Sequence, residues 1–396
     1  MSLQAAAEEA PARSRPTRPW LKWLLLLFAL PPALGLIGRL IKGGWWLNDF
    51  DAVACGAWRL AHTLPLYATG LACPGGRPAP YVYLPPLAQM LAPLAQSPTV
   101  SGLRLVYGLA YAVIVAWLLF TLYGKSRLGR FSPVPLLVMV TGSSISCGNL
   151  AAPCHALVLA AALLRKRRSI WLIAAILAAA VVKPIFLCYL LIFVLEDAPI
   201  RVRAQRFLAA VALAAGLGAI LYWRDAEALV QWRSSLDHVV FGWQTGVGFL
   251  DAVAHLGLRA DQPVTQALWI AFAALLTLAG IAFAELRRLD SRARLMLAVA
   301  LAQLCNPRLM DYDLIMLGPG VALIARAASP DLRRPLWLAL VSMCSLLLLL
   351  NLAEQTPLEI RLGPALLAAF VLSAAALELR RGGIPSILPA KNTAPA

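Results

Sequence analysis

Long apolar stretches, separated by short breaks that are mostly basic, fill almost the whole chain. The first stretch covers residues 20–41, and others follow as far as the C-terminal tail. About 20 consecutive apolar residues are enough for a helix to cross the hydrocarbon core of a bilayer. The pattern therefore predicts an all-α polytopic membrane protein with about twelve transmembrane helices.

The basic breaks predict the orientation of these helices. Five breaks carry clusters of Lys and Arg, at 165–168, 201–206, 287–294, 333–334 and 380–381. Less basic turns fall between them, near 183, at 223–263, at 306–312 and at 352–361. Because Lys and Arg are enriched in cytoplasmic loops, the clusters predict that both termini are cytoplasmic and that the turns lie outside.

The domain boundaries follow from composition. Residues 1–19 are polar and arginine-containing, and they are predicted to be a disordered cytoplasmic tail, as are residues 382–396. Residues 20–381 are predicted to form one transmembrane domain. A cleaved signal peptide is the alternative for the first apolar stretch, but no small-x-small cleavage site follows it closely, so we interpret it as a retained span.

Two regions depart from a simple alternation of spans and turns. Lys125, Arg127 and Arg130 follow the stretch 101–124, and counting spans places them outside, against the charge rule. Residues 131–164 exceed one span, and their part 141–153 is rich in Gly, Ser, Asn and Pro. Such a composition predicts a broken helix or a re-entrant segment, which survives at membrane depth only where it is buried in protein or lines a cavity.

Two outer loops are predicted to be long, at about 42–83 and about 223–263. A transporter usually keeps its substrate site near the middle of the bilayer. Long loops on one side instead favour a site at the outer face of the membrane.

Composition strengthens this picture and removes one alternative. Hydrophobic residues make up 61% of the chain, and the mean hydropathy is +0.74, whereas a soluble domain is usually about half apolar. The formal net charge of +16 could suggest a nucleic-acid partner. The basic residues are confined to the breaks between spans, so they are better explained by the charge rule and by anionic lipid at the inner surface. We expect the bilayer as a partner, and no nucleic acid.

The first outer loop opens with two carboxylates. Phe50, Val53 and Ala57 recur at helical spacing, which predicts a short amphipathic helix along the membrane surface. Asp49 and Asp51 lie at its start. One interpretation is that Asn48 or Asp49 caps the helix and that the carboxylates favour its dipole. The other is that a carboxylate in this half-apolar setting acts as a base toward a substrate.

An ordered set of motifs resembles glycosyltransferase family 87, whose members are mannosyltransferases that use polyprenol-phosphate-mannose. The motifs are Asp49-Phe50, Gly56-Ala57, Pro65-Leu66-Tyr67-Ala68, Tyr83-Leu84-Pro85-Pro86, Gly148-Asn149, Lys183-Pro184 and Asn306-Pro307. They cover about residues 20–330. The sequence departs from the family at Thr63, where a glycine is frequent, at Asn149, where glutamine is usual, and at 308–312, which lacks a histidine that relatives often carry.

The resemblance implies the membrane glycosyltransferase fold called GT-C and a place in a bacterial inner membrane. It implies a sugar donor on a polyprenyl phosphate, used at the periplasmic face, and a glycolipid or glycan as acceptor. It also implies that Asp49 is the catalytic base, with Asp51 as the alternate, and that Tyr83 and Asn149 contact substrate. One base and direct displacement would invert the anomeric centre.

Lys183 and Arg308 are the candidate cations for the phosphate of such a donor. Each lies at the predicted outer end of a span, where a buried cation is costly and often functional. The alternative for Lys183 is that it extends to the interface. The alternatives for Arg308 are an ordinary loop charge or an ion pair with Asp311 or Asp313.

His238 is a further candidate for substrate binding, because it lies among Trp223, Trp232 and Trp243. These tryptophans could stack on a sugar or anchor the loop at the interface, and the second is the more common use. A lone histidine is also more often structural.

Cofactors and cross-links are expected to be few. The acid-x-acid pairs at 49–51 and 311–313 have a spacing that can hold a divalent cation, but the resembled family does not need one, so we expect no metal and no cofactor. Cys55 and Cys73 share the first outer loop, where an oxidising exterior permits a disulfide, and their pairing stays open. The competing functions are a transporter or flippase for a lipid-linked sugar and a non-catalytic membrane subunit.

Overall fold

The computed structural model describes residues 24–67, 72–124, 131–164, 169–242 and 246–382. Within these ranges the chain is helical and contains no β-strand, which confirms the all-α prediction. The tail 1–19, the basic residues 125–130 and 165–168, Trp243 and the C-terminal residues 383–396 lie outside the described part of the chain. The predicted tail began at residue 382, which is instead the last residue of the final helix.

The described helices follow one another along the chain as a series of long and short elements. They are α1 Leu30–Ile41, α2 Asn48–Ala61, α3 Pro85–Leu91, α4 Ser101–Leu119, α5 Gly142–Ser146, α6 Ala151–Leu164, α7 Ser169–Val182, α8 Leu191–Val194, α9 Ile200–Gly242, α10 Phe249–Ala254, α11 Pro263–Leu286, α12 Ser291–Leu304, α13 Gly318–Ala327, α14 Pro330–Leu352 and α15 Thr356–Gly382. Four 3₁₀ segments join them, at Ala92–Leu94, Val134–Met139, Pro184–Leu190 and Asp311–Met316, and a π-helical turn, Phe120–Gly124, extends α4.

Five of these elements are long and apolar enough to cross a membrane: Ser101–Gly124, Ile200–Val239, Pro263–Leu286, Pro330–Leu352 and Pro357–Gly382. Much of their apolar surface is not covered by the protein itself. In the most apolar window of α9, only 6% of the residues are buried inside the protein. Lipid is the environment in which such a surface is stable, so these helices support a membrane-embedded protein. Twelve crossings stay a prediction.

The irregular segment at 131–150 has the broken form that the sequence predicted. A 3₁₀ segment is followed by the five-residue helix α5, whose N-cap Thr141 accepts a hydrogen bond from the Ser144 amide at 3.1 Å. Gly148 then turns the chain with φ of +70°, and a Cβ there would lie 2.7 Å from Leu47 Cδ2. Glycine is therefore required for the turn that delivers the next residue, Asn149, to the start of α6.

The segment predicted to be the first outer loop contains the predicted helix, α2, which begins at Asn48. Its apolar face packs on the segment around Tyr81 and Tyr83 and on α3, and together they form a small core of their own. A disulfide joins Cys55 to Cys73, with their Cα atoms 5.3 Å apart, and so settles the pairing that the sequence left open. Two prolines, Pro85 and Pro86, start α3, where the first turn of a helix tolerates them.

Much of the segment predicted to be the second outer loop, about 223–263, is helical. Helix α9 continues through the predicted boundary at 223 to Gly242, with one non-helical residue, Asp225, where it kinks. The stretch 226–241 contains no Pro or Gly, so nothing in it terminates the helix. The short helix α10 follows before α11.

Helix ends gather at two opposite ends of the bundle. At the first, which we call the basic end, Arg287 at the end of α11 donates to the Ala327 carbonyl oxygen at 2.8 Å and to Ser329 Oγ at 3.2 Å. Ser329 Oγ in turn donates to Glu378 near the end of α15. The flanks of the 125–130 segment, Thr121 and Phe131, line a cavity with Asp290 and Arg326 at this same end. The other end, which we call the site end, carries α2, Asn149 and the start of the Pro184–Leu190 segment.

Candidate functional site

The site is built where α2 meets the broken segment. Leu47 precedes α2 in a left-handed conformation, with φ of 59°. Its amide donates to the Ser146 carbonyl oxygen, and the Asp49 amide donates to that of Cys147, both at 2.9 Å. Leu47 is thus the N-cap of α2, and no side chain caps this helix. The interpretation of Asn48 or Asp49 as a simple cap is wrong.

The Asp49 carboxylate is held instead by two side-chain amides. Asn149 Nδ2 donates to Asp49 Oδ2 at 2.7 Å, and Asn48 Nδ2 donates to Asp49 Oδ1 at 2.9 Å. Asp49 itself is half-buried. Two such bonds, one to each oxygen, hold the carboxylate in a fixed orientation.

Lys183 brings a cation to the same cluster. It follows α7 in an extended conformation, which the residue before a proline favours, and its side chain turns inward rather than along the interface. Its ammonium donates to Asn149 Oδ1 at 2.8 Å and to the Tyr312 hydroxyl at 3.2 Å. The ammonium also lies 5.1 Å from the ring centroid of Tyr83 and 5.0 Å from that of Tyr312, within cation–π range.

A cavity of about 300 Å³ opens beside this lysine. Its lining is largely apolar and includes Ile185, Phe186, Leu236, Leu250 and Met310. The charged side chains that line it are two cations, Lys183 and Arg308, and two carboxylates, Asp237 and Asp313. Trp232 of α9 also lines it, and its indole donates to the Val82 carbonyl oxygen at 3.1 Å. The cavity therefore suits a ligand with an anionic group on an apolar chain.

The segment from Arg308 to Asp313 adds a second carboxylate near Asp49. Burial raises the pKa of Asp311 to about 6, and the negative charges of Asp49 and Asp313 add to the effect. Burial also raises the pKa of the Tyr83 hydroxyl, and the charge of Asp49 raises it further. Asp49, Asp311 and Tyr83 are therefore close enough to interact electrostatically, around the ammonium of Lys183.

A buried histidine that the sequence did not single out as functional organises this segment. His155 in α6 is fully buried, with Nε2 2.8 Å from Asp313 Oδ1 and Nδ1 2.7 Å from the Tyr189 hydroxyl. Asp313 Oδ2 accepts the Met310 amide at 3.0 Å. His155 is thus a partner of Asp313 that the sequence did not suggest. The signal available in the sequence was a histidine two residues after the segment 141–153 that is rich in Gly, Ser, Asn and Pro.

The other predicted residues lie elsewhere. Asp51 is fully buried, forms a salt bridge with Arg104 at 2.6 Å and accepts the Trp45 indole at 2.6 Å, so it holds α2 to α4. His238 is exposed on α9, and it is not among the described residues that line the cavity. The structure brings together Asp49, Tyr83, Asn149 and Lys183, and it places Arg308 at the adjoining cavity.

No group of three or more His, Cys, Asp or Glu side chains in the described ranges is arranged to hold a metal ion. Asp49 and Asp51, which the sequence spacing paired, point to different partners: two amides for the first and Arg104 for the second. The acid-x-acid pair at 311–313 is likewise divided, because Asp313 is bound to His155.

Compared with protein-family models, with curated proteins and with solved structures, the chain matches none of them, so the site is interpreted from its own geometry.

Proposed function

We propose that the protein is a membrane glycosyltransferase that moves a hexose, with mannose as the first candidate, from a polyprenyl-phosphate sugar to an acceptor hydroxyl. The observation that carries the proposal is the joining of a half-buried carboxylate to a cation through one amide, beside an apolar cavity. Asp49 contacts Asn149, which contacts Lys183, and Lys183 lines the cavity. A base and a phosphate-binding cation are the two groups that such a transfer requires.

The reaction assigns one task to each group. Asp49 accepts the proton of the acceptor hydroxyl as its oxygen attacks the anomeric carbon of the donor. The bond from that carbon to the phosphate oxygen breaks, and its electron pair stays on the phosphate, so the products are the glycoside and polyprenyl phosphate. Lys183 and Arg308 stabilise the charge that develops on the phosphate. Displacement from the opposite face inverts the anomeric centre.

The cavity supports a lipid-linked donor rather than a water-soluble one. Its wall residues Ile185, Phe186 and Leu250 offer an isoprenoid chain an apolar surface, and the cations Lys183 and Arg308 line the same cavity. A nucleotide sugar would instead need polar groups for its base and ribose. Trp232, at the same wall, provides a flat surface on which a sugar ring can stack.

The arrangement of charges supports a site on the outer face. Arg287 and Arg326 belong to the basic end, and the site lies at the other end of the bundle. Under the charge rule the basic end faces the cytoplasm. The proposal therefore includes about twelve crossings, cytoplasmic termini and a donor used at the outer face of a bacterial inner membrane.

The test is transfer from defined lipid donors. Membranes that contain the protein, and matched membranes that lack it, are incubated with radiolabelled polyprenyl-phosphate-mannose or polyprenyl-phosphate-glucose, and lipid and glycan products are separated. We expect label from one donor in a product that forms only when the protein is present. Labelled donor that crosses a vesicle bilayer without forming any product would support a flippase and contradict the proposal.

A further inference from the structure

The network around Asp49 extends beyond the residues that sequence identified, on the side away from the cavity. Asn48, the first residue of α2, donates through Nδ2 to Asp49 Oδ1 at 2.9 Å. Its other amide atom, Oδ1, accepts from Arg39 Nη2 at 3.2 Å. Arg39 lies in the last turn of α1, and its Nε also donates to the Trp45 carbonyl oxygen at 3.0 Å.

The two sides of the carboxylate have the same construction. On one side Lys183 binds the oxygen of the Asn149 amide, and on the other Arg39 binds the oxygen of the Asn48 amide. In both cases the amide nitrogen is left to face Asp49. Turning either amide over would place its NH₂ against a cation and its oxygen against a carboxylate. Each cation therefore fixes the orientation of its amide, and each amide delivers a donor to one carboxylate oxygen.

Backbone contacts fix the positions of Arg39 and of Asn149. Gly35 of α1 and Gly142 of α5 touch so closely that a Cβ on Gly142 would lie 2.2 Å from the Gly35 carbonyl carbon. This contact fixes the position of α1, which carries Arg39, relative to the segment that leads to Asn149. The Ala151 amide also donates to Asn149 Oδ1 at 2.9 Å, which holds that side chain from its own helix.

We propose that Arg39 and Asn48 are positioning residues of the transfer reaction, which act with Lys183 and Asn149 as a two-sided carboxamide clamp on Asp49. The inference rests on the proposed function. A carboxylate has about four acceptor positions, and the two amides use one on each oxygen. The clamp fixes the plane of the carboxylate and leaves acceptor capacity for the incoming hydroxyl.

Other groups also face Asp49 and set the background against which the clamp acts. Those that interact with it electrostatically are Lys183, Asp311, Tyr83, Tyr312, Tyr111 and Cys147. None of them is changed by a substitution at Asn48, so a shift in the titration of Asp49 in such a variant reports the lost hydrogen bond.

Three variants test the clamp by the pH dependence of kcat/KM. In Asn48→Ala the carboxylate loses one donor, so its protonation moves to higher pH. We expect the acidic limb of the profile to move up by about one pH unit, so that kcat/KM falls about tenfold at pH values below the wild-type midpoint. KM for the donor should stay unchanged, because Asn48 is not among the described cavity-lining residues. Arg39→Gln should shift the profile in the same direction, and the double variant should shift it no further than Asn48→Ala alone.

Asn48→Asp separates positioning from a merely structural role. Asp keeps an acceptor for Arg39, so a residue that only anchors α1 to α2 would tolerate the change. In the clamp it replaces a donor with an anion that faces Asp49, so the shift should exceed that of Asn48→Ala. Asn351→Ala is the matched control, since Asn351 Nδ2 donates to the buried carboxylate of Glu359 at 2.8 Å, so the variant removes an amide donor from a carboxylate other than Asp49. It should leave the profile unchanged.

An infrared titration of the purified protein decides the inference even if no transfer is found. The carboxyl band that is missing in Asp49→Asn identifies Asp49. The pH midpoint at which this band titrates should rise in Asn48→Ala but not in Asn351→Ala. Failure of transfer by the wild type, with this shift present, would overturn the proposed function and leave the clamp standing as a structural device. An unshifted midpoint in a folded Asn48→Ala, or an Asn48→Asp that resembles the wild type, would overturn the clamp.

Discussion

Replacing Lys183 with methionine should lower the rate of transfer strongly and leave the stability of the protein almost unchanged. Methionine has nearly the same length and no charge. Lys183 makes two hydrogen bonds and two cation–π contacts, yet it places an ammonium beside apolar walls. Moving a cation into such a setting costs about 3 kcal/mol. The two hydrogen bonds return about 1 kcal/mol each and the ring contacts about 0.5 kcal/mol each. These terms nearly cancel, so the free energy of unfolding should change by less than about 1 kcal/mol.

The effect on transfer should be much larger. A charge-assisted contact to phosphate contributes about 2 to 3 kcal/mol, which corresponds to a fall in kcat/KM of roughly 30- to 150-fold. The assay measures initial rates over a range of donor concentrations, together with Tm in the same detergent. Lys42→Met is the matched control, because Lys42 is an exposed lysine at the site end. It should change neither quantity.

Two results would refute this reasoning. One is a folded Lys183→Met protein with near-normal kcat/KM, which would show that no anionic group of the substrate meets the ammonium. The other is a loss of stability as large as the loss of activity, which would show that Lys183 serves mainly to tie Asn149 to Tyr312.

Three further predictions concern neighbouring features. Asp51→Asn should lower the free energy of unfolding by about 2 to 3 kcal/mol, because it leaves the partly buried Arg104 without its counter-charge. Asp49→Asn should change the free energy of unfolding by less than about 1 kcal/mol. Equal effects of the two variants in a urea titration would contradict this difference. Burial raises the pKa of Asp311 to about 6, so between about pH 4 and pH 6 the folded protein keeps a proton that the unfolded chain releases. The free energy of unfolding should therefore fall by up to about 3 kcal/mol as the pH rises from about 4 to about 6. Asp311→Asn should therefore gain Tm over the wild type at pH 7 but not at pH 4.5, and a gain independent of pH would contradict the assignment. Replacing Cys55 and Cys73 together by serine removes a disulfide that spans 18 residues of the chain and should lower the free energy of unfolding by about 3 kcal/mol. A wild-type Tm that reductant leaves unchanged would show that the disulfide is not formed.

Much of the fold could be predicted because hydropathy in a membrane protein is a strong constraint. The apolar stretches predicted the helical class, the spacing of Phe50, Val53 and Ala57 predicted α2, and the Gly/Asn/Pro-rich segment predicted the break that carries Asn149. These are local signals. The extension of α9 to Gly242 was missed because a polar outer segment without Pro or Gly has no clear boundary in the sequence.

The candidate site was only partly predictable, because its contacts join residues far apart in the chain. Asp49 and Asn149 are 100 residues apart, and His155 and Asp313 are 158 apart, so no spacing rule could pair them. Asp49 and Asp51 look equivalent in sequence, and only packing distinguishes the carboxylate held by amides from the one buried against Arg104. His238 illustrates the reverse case, since its tryptophan neighbours suggested a binding role while the side chain itself is exposed.

The most direct test of the central claim compares Asp49→Asn with Asp261→Asn in reconstituted vesicles supplied with radiolabelled polyprenyl-phosphate-mannose. Asp261 is an exposed carboxylate paired with Arg259 in the second outer loop, so the control makes the same chemical change away from the site. We predict that Asp49→Asn binds the donor as the wild type does but forms product roughly 10²- to 10⁴-fold more slowly, as the loss of a general base implies, while Asp261→Asn retains full turnover. Near-normal turnover by a folded Asp49→Asn protein would contradict the assignment of Asp49 as the base.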